Sequence, residues 1–278
     1  MKTLLPSQKP SYDSTTKMNK KEQYEDYRFP SLRIGVVIPA YNEEMNIGKT
    51  LDKIPRNISN KMEIIVIDDG SDDNTYQIAS KYDVNIIRHH KNRGNGAATK
   101  TGLNYCKEVK CDVVVLLDGD GQHDPKYIND FIEPIFKDNI DFVIGNRFMN
   151  YYNMNIYRKL CSKLMTAFYF LLLRKKISDP TNGYRALSSK LINKIGFESE
   201  YSLTQEMLFK IIPYYNFKEI PVKVKQREYG QSFIKLKNYF TKIILFFIKY
   251  YVFPKITWIT HRLLSKDTRE RMGNLLKT

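Results

Sequence analysis

The chain has 278 residues, 42% of them apolar, with 45 Lys and Arg against 30 Asp and Glu for a formal net charge of +15. That length buries a full core in one large domain or a domain with an appendage, which excludes a small stapled scaffold, and the charge calls for an anionic partner: nucleic acid, a membrane surface or phosphorylated substrates. Cys106, Cys111 and Cys161 are odd in number and lack CxxC spacing, which points away from a disulfide framework or a zinc site and toward a reducing cytosolic setting.

The opening Met1-Lys2-Thr3-Leu4-Leu5-Pro6 continues in polar residues to about Tyr27 without an apolar h-region, so no signal peptide is expected and residues 1–31 read as a flexible polar leader. Apolar runs then recur at Ile34–Ile38, Ile64–Ile67, Val84–Ile87, Val113–Leu117 and Phe142–Ile144, alternating with helix-like segments in the order of an α/β sheet. Asn42 is placed to cap a helix with Ile47, Leu51 and Ile54 on one stripe. Asp124 with Pro125 opens another carrying Ile128, Phe131, Ile132 and Ile135, and both stripes read as core. The strand rhythm stops after Arg147. Residues 156–176 join Arg158, Lys159 and Lys163 to the apolar Phe168–Leu173 and to Arg174-Lys175-Lys176, and a final strand is expected at Glu219–Lys225.

From Lys235 to Leu264, aromatic and aliphatic residues are interrupted by Lys235, Lys237, Lys242, Lys249, Lys255 and Arg262. No run of about 20 uncharged apolar residues exists, so a spanning helix is not expected. Lys235, Lys242 and Lys249 recur every seven residues, which keeps them near one helical face and describes an interfacial helix on an anionic membrane, broken before Pro254. Segment 156–176 has the same look. An amphipathic helix docked on protein is the plainer reading of either pattern.

The strand ends carry the chemistry. Asp118-Gly119-Asp120-Gly121-Gln122 closes the Val-rich run, whose composition is that of a strand buried on both faces, so its carboxylates arrive at one edge of a covered parallel sheet, where ligands bind in open α/β folds. Such oxygens suit Mg²⁺ or Mn²⁺, ions that take further ligands from substrate phosphates. Alone, the pair is also what a surface Asp-Gly turn looks like. Pro39-Ala40-Tyr41-Asn42-Glu43-Glu44 and Asp68-Asp69-Gly70-Ser71-Asp72-Asp73 place further carboxylates and helix starts at the same edge, able to accept from a base or ribose and to face phosphate. The GxGxxG fingerprint is missing, which disfavours NAD. Arg93-Gly94-Asn95-Gly96 precedes a helix carrying Lys100, and its glycines would let backbone approach a phosphate, although a plain loop has the same composition.

Taken in order, VVIPAYNEE, IDDGSDDNT, RGNGAATKTGL, LLDGDGQHDP, IGNRF and DPTNGYRAL resemble the family 2 glycosyltransferases, and within them the polyprenyl (dolichyl) phosphate sugar synthases, from about Arg33 to Leu236. The resemblance implies an α/β, GT-A nucleotide-sugar-binding domain over residues 32–236 with a mostly parallel central sheet; the residue pattern that follows it reads as C-terminal amphipathic helices in a membrane-interfacial tail, 237–278. The resemblance also implies a UDP- or GDP-hexose donor. Pro39, Ala40, Tyr41, Glu43 and Asp69 would line its pocket with Lys100 and Gly119, while Asp118, Asp120 and Gln122 would hold Mg²⁺ or Mn²⁺ and the diphosphate. Gly119 stands where alanine is frequent in the family, a change of bulk and not of ligand.

A cation at the departing diphosphate acts as a Lewis acid, and attack opposite the leaving group inverts the anomeric centre. A hydroxyl acceptor needs a general base, whereas a phosphate monoester, with a second pKa of about 6, is largely a dianion at neutral pH and needs cationic clamps more. By resemblance, Arg147, Arg158, Arg185 and Arg227 are the acceptor-phosphate candidates, Asp179, Asn182 and Gly183 shape the acceptor side, and Asp120, Arg147, Asp179 and Glu206 are the catalytic set. Glu206 matches a position where hydroxyl-using relatives keep an acid, so it is the fallback base, against the plain reading of an exposed helix residue. Phe233 follows Ser232 where the phosphate-acceptor branch often has Lys, with Lys235 or Lys237 as substitutes. A structural hydrogen-bonding role is favoured over metal ligation for His123, and no role is assigned to His89-His90.

The expected function is metal-dependent, inverting transfer of a hexose from a nucleotide sugar to a polyprenyl phosphate, at the cytosolic face of a membrane and peripheral to it. Its partners are then the nucleotide sugar, the polyprenyl phosphate and the anionic membrane surface; a homo-oligomer is left open. Transfer to a hydroxyl of a glycan or glycolipid is the nearest alternative. A basic nucleic-acid-binding protein is suggested by charge alone, since the C-terminal positives cluster with aromatics and no RNA or DNA motif appears.

Overall fold

A computed structural model describes residues 28–149, 156–199 and 203–224, and for residues 156–162 the backbone alone. Most of the expected leader and the expected tail, with Arg227, Phe233, Lys235 and Lys237, lie outside the described residues.

The first half is built of parallel strands and crossover helices: β1 (Arg33–Ala40), α1 (Ile47–Asp52), β2 (Lys61–Asp68), α2 (Thr75–Ala79), β3 (Asn85–Arg88), α3 (Asn95–Glu108) and β4 (Val113–Leu116). A 3-10 turn, Pro125–Tyr127, runs into α4 (Ile128–Lys137), then β5 (Phe142–Asn146) and a second 3-10 turn, Arg147–Met149. The second half supplies α5 (Ile156–Leu173), β6 (Arg185–Ser188), α6 (Ser189–Lys194), α7 (Leu203–Ile211) and β7 (Phe217–Pro221).

The strands form one sheet in the order β3-β2-β1-β4-β6-β5-β7, with β6 antiparallel to both neighbours and the other pairings parallel. Alternation within each strand feeds two cores. From β1, Ile34, Val36 and Ile38 join α1, α2 and α4 on one face, while Val37 joins α3, α5 and α7 on the other. Burial on both faces explains the unbroken Val and Ile runs. Close packing at the second face shows at Gly102 of α3, where an added Cβ would lie 2.3 Å from Val37 Cγ1. Cys106 and Cys111 are buried free thiols that meet over Gly35; their mutual hydrogen bond and then burial push the Cys106 thiol far above its ordinary range.

Three expectations are corrected. Asn42 does not cap α1, which begins after Asn46; Asn42 is a left-handed residue (φ 53°) whose Oδ1 accepts from the Asp72 amide at 2.9 Å. Asp124 does cap its turn, accepting from the Lys126 amide at 3.2 Å. The strand rhythm does not stop after Arg147, because β6 inserts between β4 and β5; four residues, Arg-Ala-Leu-Ser, carry too little β-branched character to signal a strand. The final strand lies at Phe217–Pro221, earlier than Glu219–Lys225, with only an isolated bridge from Val224 to His123.

All strands but β6 point the same way, and β6 runs back from the same edge. The loops after β1, β2, β3, β4, β5 and β7 and the loop before β6 therefore converge there.

Candidate active site

The loops after β1 and β2 are stitched together. The Asn42 amide donates to Ser71 Oγ at 3.0 Å, the Glu43 amide to Thr75 Oγ1 at 2.7 Å, and the Asn74 amide to Glu44 Oε2 at 3.1 Å. Pro39 and Ala40 are buried at the strand end and Tyr41 is half-buried beyond them. The Glu43 carboxylate, expected to line the donor pocket, is buried and accepts from Asn46 Nδ2 at 2.7 Å at the start of α1.

Asp69 is buried and organises the next loop. Its Oδ2 accepts from the Gly94 amide at 2.7 Å, both oxygens lie 3.1 Å from the Arg93 amide, and Oδ1 is 2.6 Å from His89 Nδ1. His89 Nε2 reaches Thr101 Oγ1 on α3 at 2.9 Å. Asp69 thus shapes the Arg93-Gly94 loop through these bonds. His89, which no sequence motif marks, joins that loop to α3; its place just beyond the C-terminal end of β3 is the one signal that points to it. Gly94 has φ 95° immediately before α3, a conformation that favours glycine. Lys100 lies further along α3, half-buried.

The start of α3 faces the β4 carboxylates, since Asn95 Nδ2 lies 3.4 Å from Asp118 Oδ1. A helix N-terminus beside carboxylates is an arrangement in which a phosphate and a cation compensate each other. Asp118, Asp120 and Gln122 are half-buried around the buried Gly119, where an added Cβ would sit 3.0 Å from the Pro39 carbonyl oxygen. Asp120 Oδ1 accepts from the Gln122 amide at 3.0 Å. Among the described residues no group of three or more His, Cys, Asp and Glu is placed to cage a metal. Two carboxylates and an amide oxygen nevertheless fit a hard cation that draws its other ligands from phosphate and water.

On the other side of Asp118 lies the loop before β6. Asp179 is fully buried and forms a two-point pair with Arg147, Nε–Oδ2 and Nη2–Oδ1 both 2.7 Å, while Arg147 Nη2 also donates to Thr181 Oγ1 at 2.7 Å. Arg147 is the more exposed member of that pair, its side chain 24% exposed against none for Asp179. Glu219 of β7, not singled out in the sequence, accepts from the amides of Ser178 (2.9 Å) and Asp179 (3.1 Å) and so fixes the loop from beneath.

Two expected roles change. Arg185 is not available to an acceptor phosphate: it is fully buried and donates to the carbonyls of Asn182, Pro180 and Thr204, bracing the loop from inside. Glu206 is not an exposed helix residue: it is fully buried, takes the amides of Glu198 and Ser199 at 2.7–3.1 Å, and pairs with Lys210 Nζ at 2.8 Å. Arg158 falls in α5, where only the backbone is described, and Arg227 lies outside the described residues.

α5 packs Met165, Tyr169 and Leu173 inward and leaves Leu164, Phe170 and Leu171 between 51% and 62% exposed, followed by the exposed Arg174, Lys175 and Lys176. Among the described residues no helix is long and apolar enough to cross a membrane.

A sequence profile described as Glycosyl transferase family 2 matches residues 35–196. Among curated relatives, a UDP-N-acetylglucosamine–dolichyl-phosphate N-acetylglucosaminyltransferase of Methanococcus voltae is 31% identical over 227 residues, covering 72% of this chain and 88% of that protein. A dolichol-phosphate mannosyltransferase of Pyrococcus furiosus is 34% identical over 224 residues, covering 75% of this chain and 61% of its own length. In three dimensions the chain is similar to glucosyl-3-phosphoglycerate synthase of Mycobacterium tuberculosis, solved with Mn²⁺, UDP and glucosyl-3-phosphoglycerate, with a TM-score of 0.61 at 20% identity over 79% of this chain and 80% of that one, a likeness of fold.

Proposed function

The chain belongs to glycosyl transferase family 2, and from that membership we propose that it transfers a hexose from a nucleotide-diphosphate sugar to a polyprenyl phosphate of the dolichyl type. The observation that carries the choice of acceptor is the state of the two acceptor-side groups: the Glu206 carboxylate is fully buried and spent on two backbone amides and a lysine, while the Arg147 guanidinium is the partly exposed cation of a rigid ion pair. A site with a committed acid and a fixed cation suits a nucleophile that is already ionised.

In this reading the nucleotide lies across the β1 and β2 loops, and its diphosphate between the start of α3 and the β4 carboxylates. Asp118, Asp120 and Gln122 would hold Mg²⁺ or Mn²⁺, which when bound stabilises the charge on the departing diphosphate. Asp69 and His89 keep the Arg93-Gly94 loop in place beside it. Arg147, oriented by Asp179 and Thr181, holds the acceptor phosphate. An acceptor oxygen bonds to the anomeric carbon as the carbon–oxygen bond to the diphosphate breaks on the opposite face, so the centre inverts and no proton need be removed.

A lipid-linked acceptor asks for contact with a bilayer, and the exposed Leu164, Phe170 and Leu171 of α5 with the adjoining Arg174-Lys175-Lys176 suit an anionic surface, each basic residue adding about 1 kcal/mol near such a surface. These residues support peripheral attachment, shared with the basic tail 237–278, and the proposal puts it at the cytosolic face. Replacing Phe170 and Leu171 together by Glu should cut co-flotation with phosphatidylserine vesicles at least several-fold; undiminished flotation would remove α5 from the membrane contact.

The function is tested by incubating the purified chain with radiolabelled UDP- and GDP-sugars and polyprenyl phosphate, with and without Mn²⁺, and counting label extracted into organic solvent. Acid-labile labelled lipid formed only with metal is the expected result. Donor turnover without labelled lipid would move the acceptor to a hydroxyl, and no turnover of any donor would end the proposal.

A further inference from the structure

His123 lies between the two halves of the site, between Asp118 and Asn182. Its side chain is 6% exposed, and its ring stacks on Tyr184 (centroids 4.9 Å apart), which in turn stacks on Phe131 at 4.1 Å. Its two ring nitrogens face different partners. Asn182 Nδ2 donates to the Gly145 carbonyl at 2.7 Å, which turns Asn182 Oδ1 toward the Tyr184 amide (3.1 Å) and toward His123 Nε2 (3.1 Å). An acceptor there requires a proton on Nε2. His123 Nδ1 accepts from the backbone amide of Asp118 at 3.2 Å and lies 3.4 Å from Asp118 Oδ2, so the ring touches both the backbone and the carboxylate of Asp118. Continuous bonding therefore runs from the backbone of Asp118 through one imidazole and one carboxamide to β5.

A second contact presses the same surfaces together. Gly183, between Asn182 and Tyr184, lies so close to Asp118 that an added Cβ would be 3.1 Å from Asp118 Oδ2 and 3.7 Å from His123 Cε1. Asp118 is thus placed by the end of β4 and also by the loop that carries Asp179, the partner of Arg147.

We propose that His123 is a positioning residue that locks Asp118 to the loop before β6, so that affinity for the divalent cation and affinity for the acceptor are set together. The proposal rests on the assignment of Asp118 to the cation and Arg147 to the acceptor. Loss of a hydrogen bond that orients a metal-ligating segment typically costs about 10–100-fold in metal affinity or activity. Here the cost should fall on both ligands, because one ring makes both contacts.

The experiment uses the full chain and measures Mn²⁺ affinity by electron paramagnetic resonance in the presence of saturating UDP or GDP, alongside the acceptor KM, kcat and the melting temperature. His123→Ala should weaken Mn²⁺ by about 10-fold or more and raise the acceptor KM. The two amide replacements divide the effect. His123→Asn offers an acceptor near the position of Nδ1 and should restore most of the Mn²⁺ affinity, while His123→Gln offers a donor near Nε2 and should restore most of the acceptor KM. Gly183→Ala, which leaves the ring in place, should weaken Mn²⁺ in the same direction. Should His123→Ala fail to fold, the Asn, Gln and Gly183→Ala variants carry the test. Mn²⁺ affinity within two-fold of the parent in every folded variant would overturn the proposal, as would absence of Mn²⁺ binding by the parent chain. Mn²⁺ binding that responds to these changes in a chain that labels no lipid would leave this inference standing and remove the proposed acceptor.

Discussion

Asp120→Ala should abolish sugar transfer, by about 10³-fold or more, while shifting the melting temperature little. The asymmetry follows from where the residue sits. Asp120 lies beyond the end of β4, half-buried, on a turn in which its Oδ1 accepts from the Gln122 amide, outside the two apolar cores that hold the sheet. Its removal therefore costs the fold on the order of 1 kcal/mol, the net worth of a hydrogen bond. Removing an oxygen ligand where charge develops on a departing diphosphate should cost about 4 kcal/mol of barrier, and each 1.36 kcal/mol is tenfold in rate. Transfer assays with excess Mn²⁺, paired with a thermal melt, check both halves. Activity within tenfold of the parent would mean that Asp120 holds neither cation nor diphosphate.

Arg147→Ala should damage both fold and reaction, and the two losses can be separated. Asp179 is fully buried and takes the Arg147 guanidinium at two points as well as its backbone amide at 3.0 Å. Deleting the cation strands a buried carboxylate, at a cost of about 3–5 kcal/mol, toward the lower figure because Arg147 is partly exposed. Chemical denaturation should show that loss. Replacing the pair as Arg147→Met with Asp179→Leu removes both charges at similar volume and should recover most of the stability, since buried pairs are often replaceable by apolar residues. Transfer to polyprenyl phosphate should stay lost in both variants. Recovery of transfer with the apolar pair would show that Arg147 acts only as a brace, and the acceptor phosphate would then need another cation.

The contrast between Arg147 and Arg185 shows how far composition and motif carry. In the sequence both are arginines beside a family motif, Arg147 in IGNRF and Arg185 two residues past Asp179-Pro180-Thr181-Asn182-Gly183, equally suited to a phosphate. Only the reversed course of β6 turns Arg185 inward, onto three carbonyls, and leaves Arg147 at the rim. Glu206 teaches the same point, because a glutamate on a helix is ordinarily exposed and this one is buried beneath the amides of Glu198 and Ser199.

What the amino-acid order determined by itself was the repeating part of the molecule. Unbroken Val and Ile runs can be satisfied only between two helical layers, so the parallel strands, the edge at which they end and the Asp-Gly turns gathered there were legible from local pattern. The short antiparallel β6, the His89 bridge to Asp69, the brace of Glu219 and the bonds joining Asp118 to Asn182 through His123 were decided by tertiary structure alone. Each depends on groups far apart in the chain, brought together by strand order. A hydrogen bond's worth depends on the burial and alignment of both partners, which no local run of residues encodes.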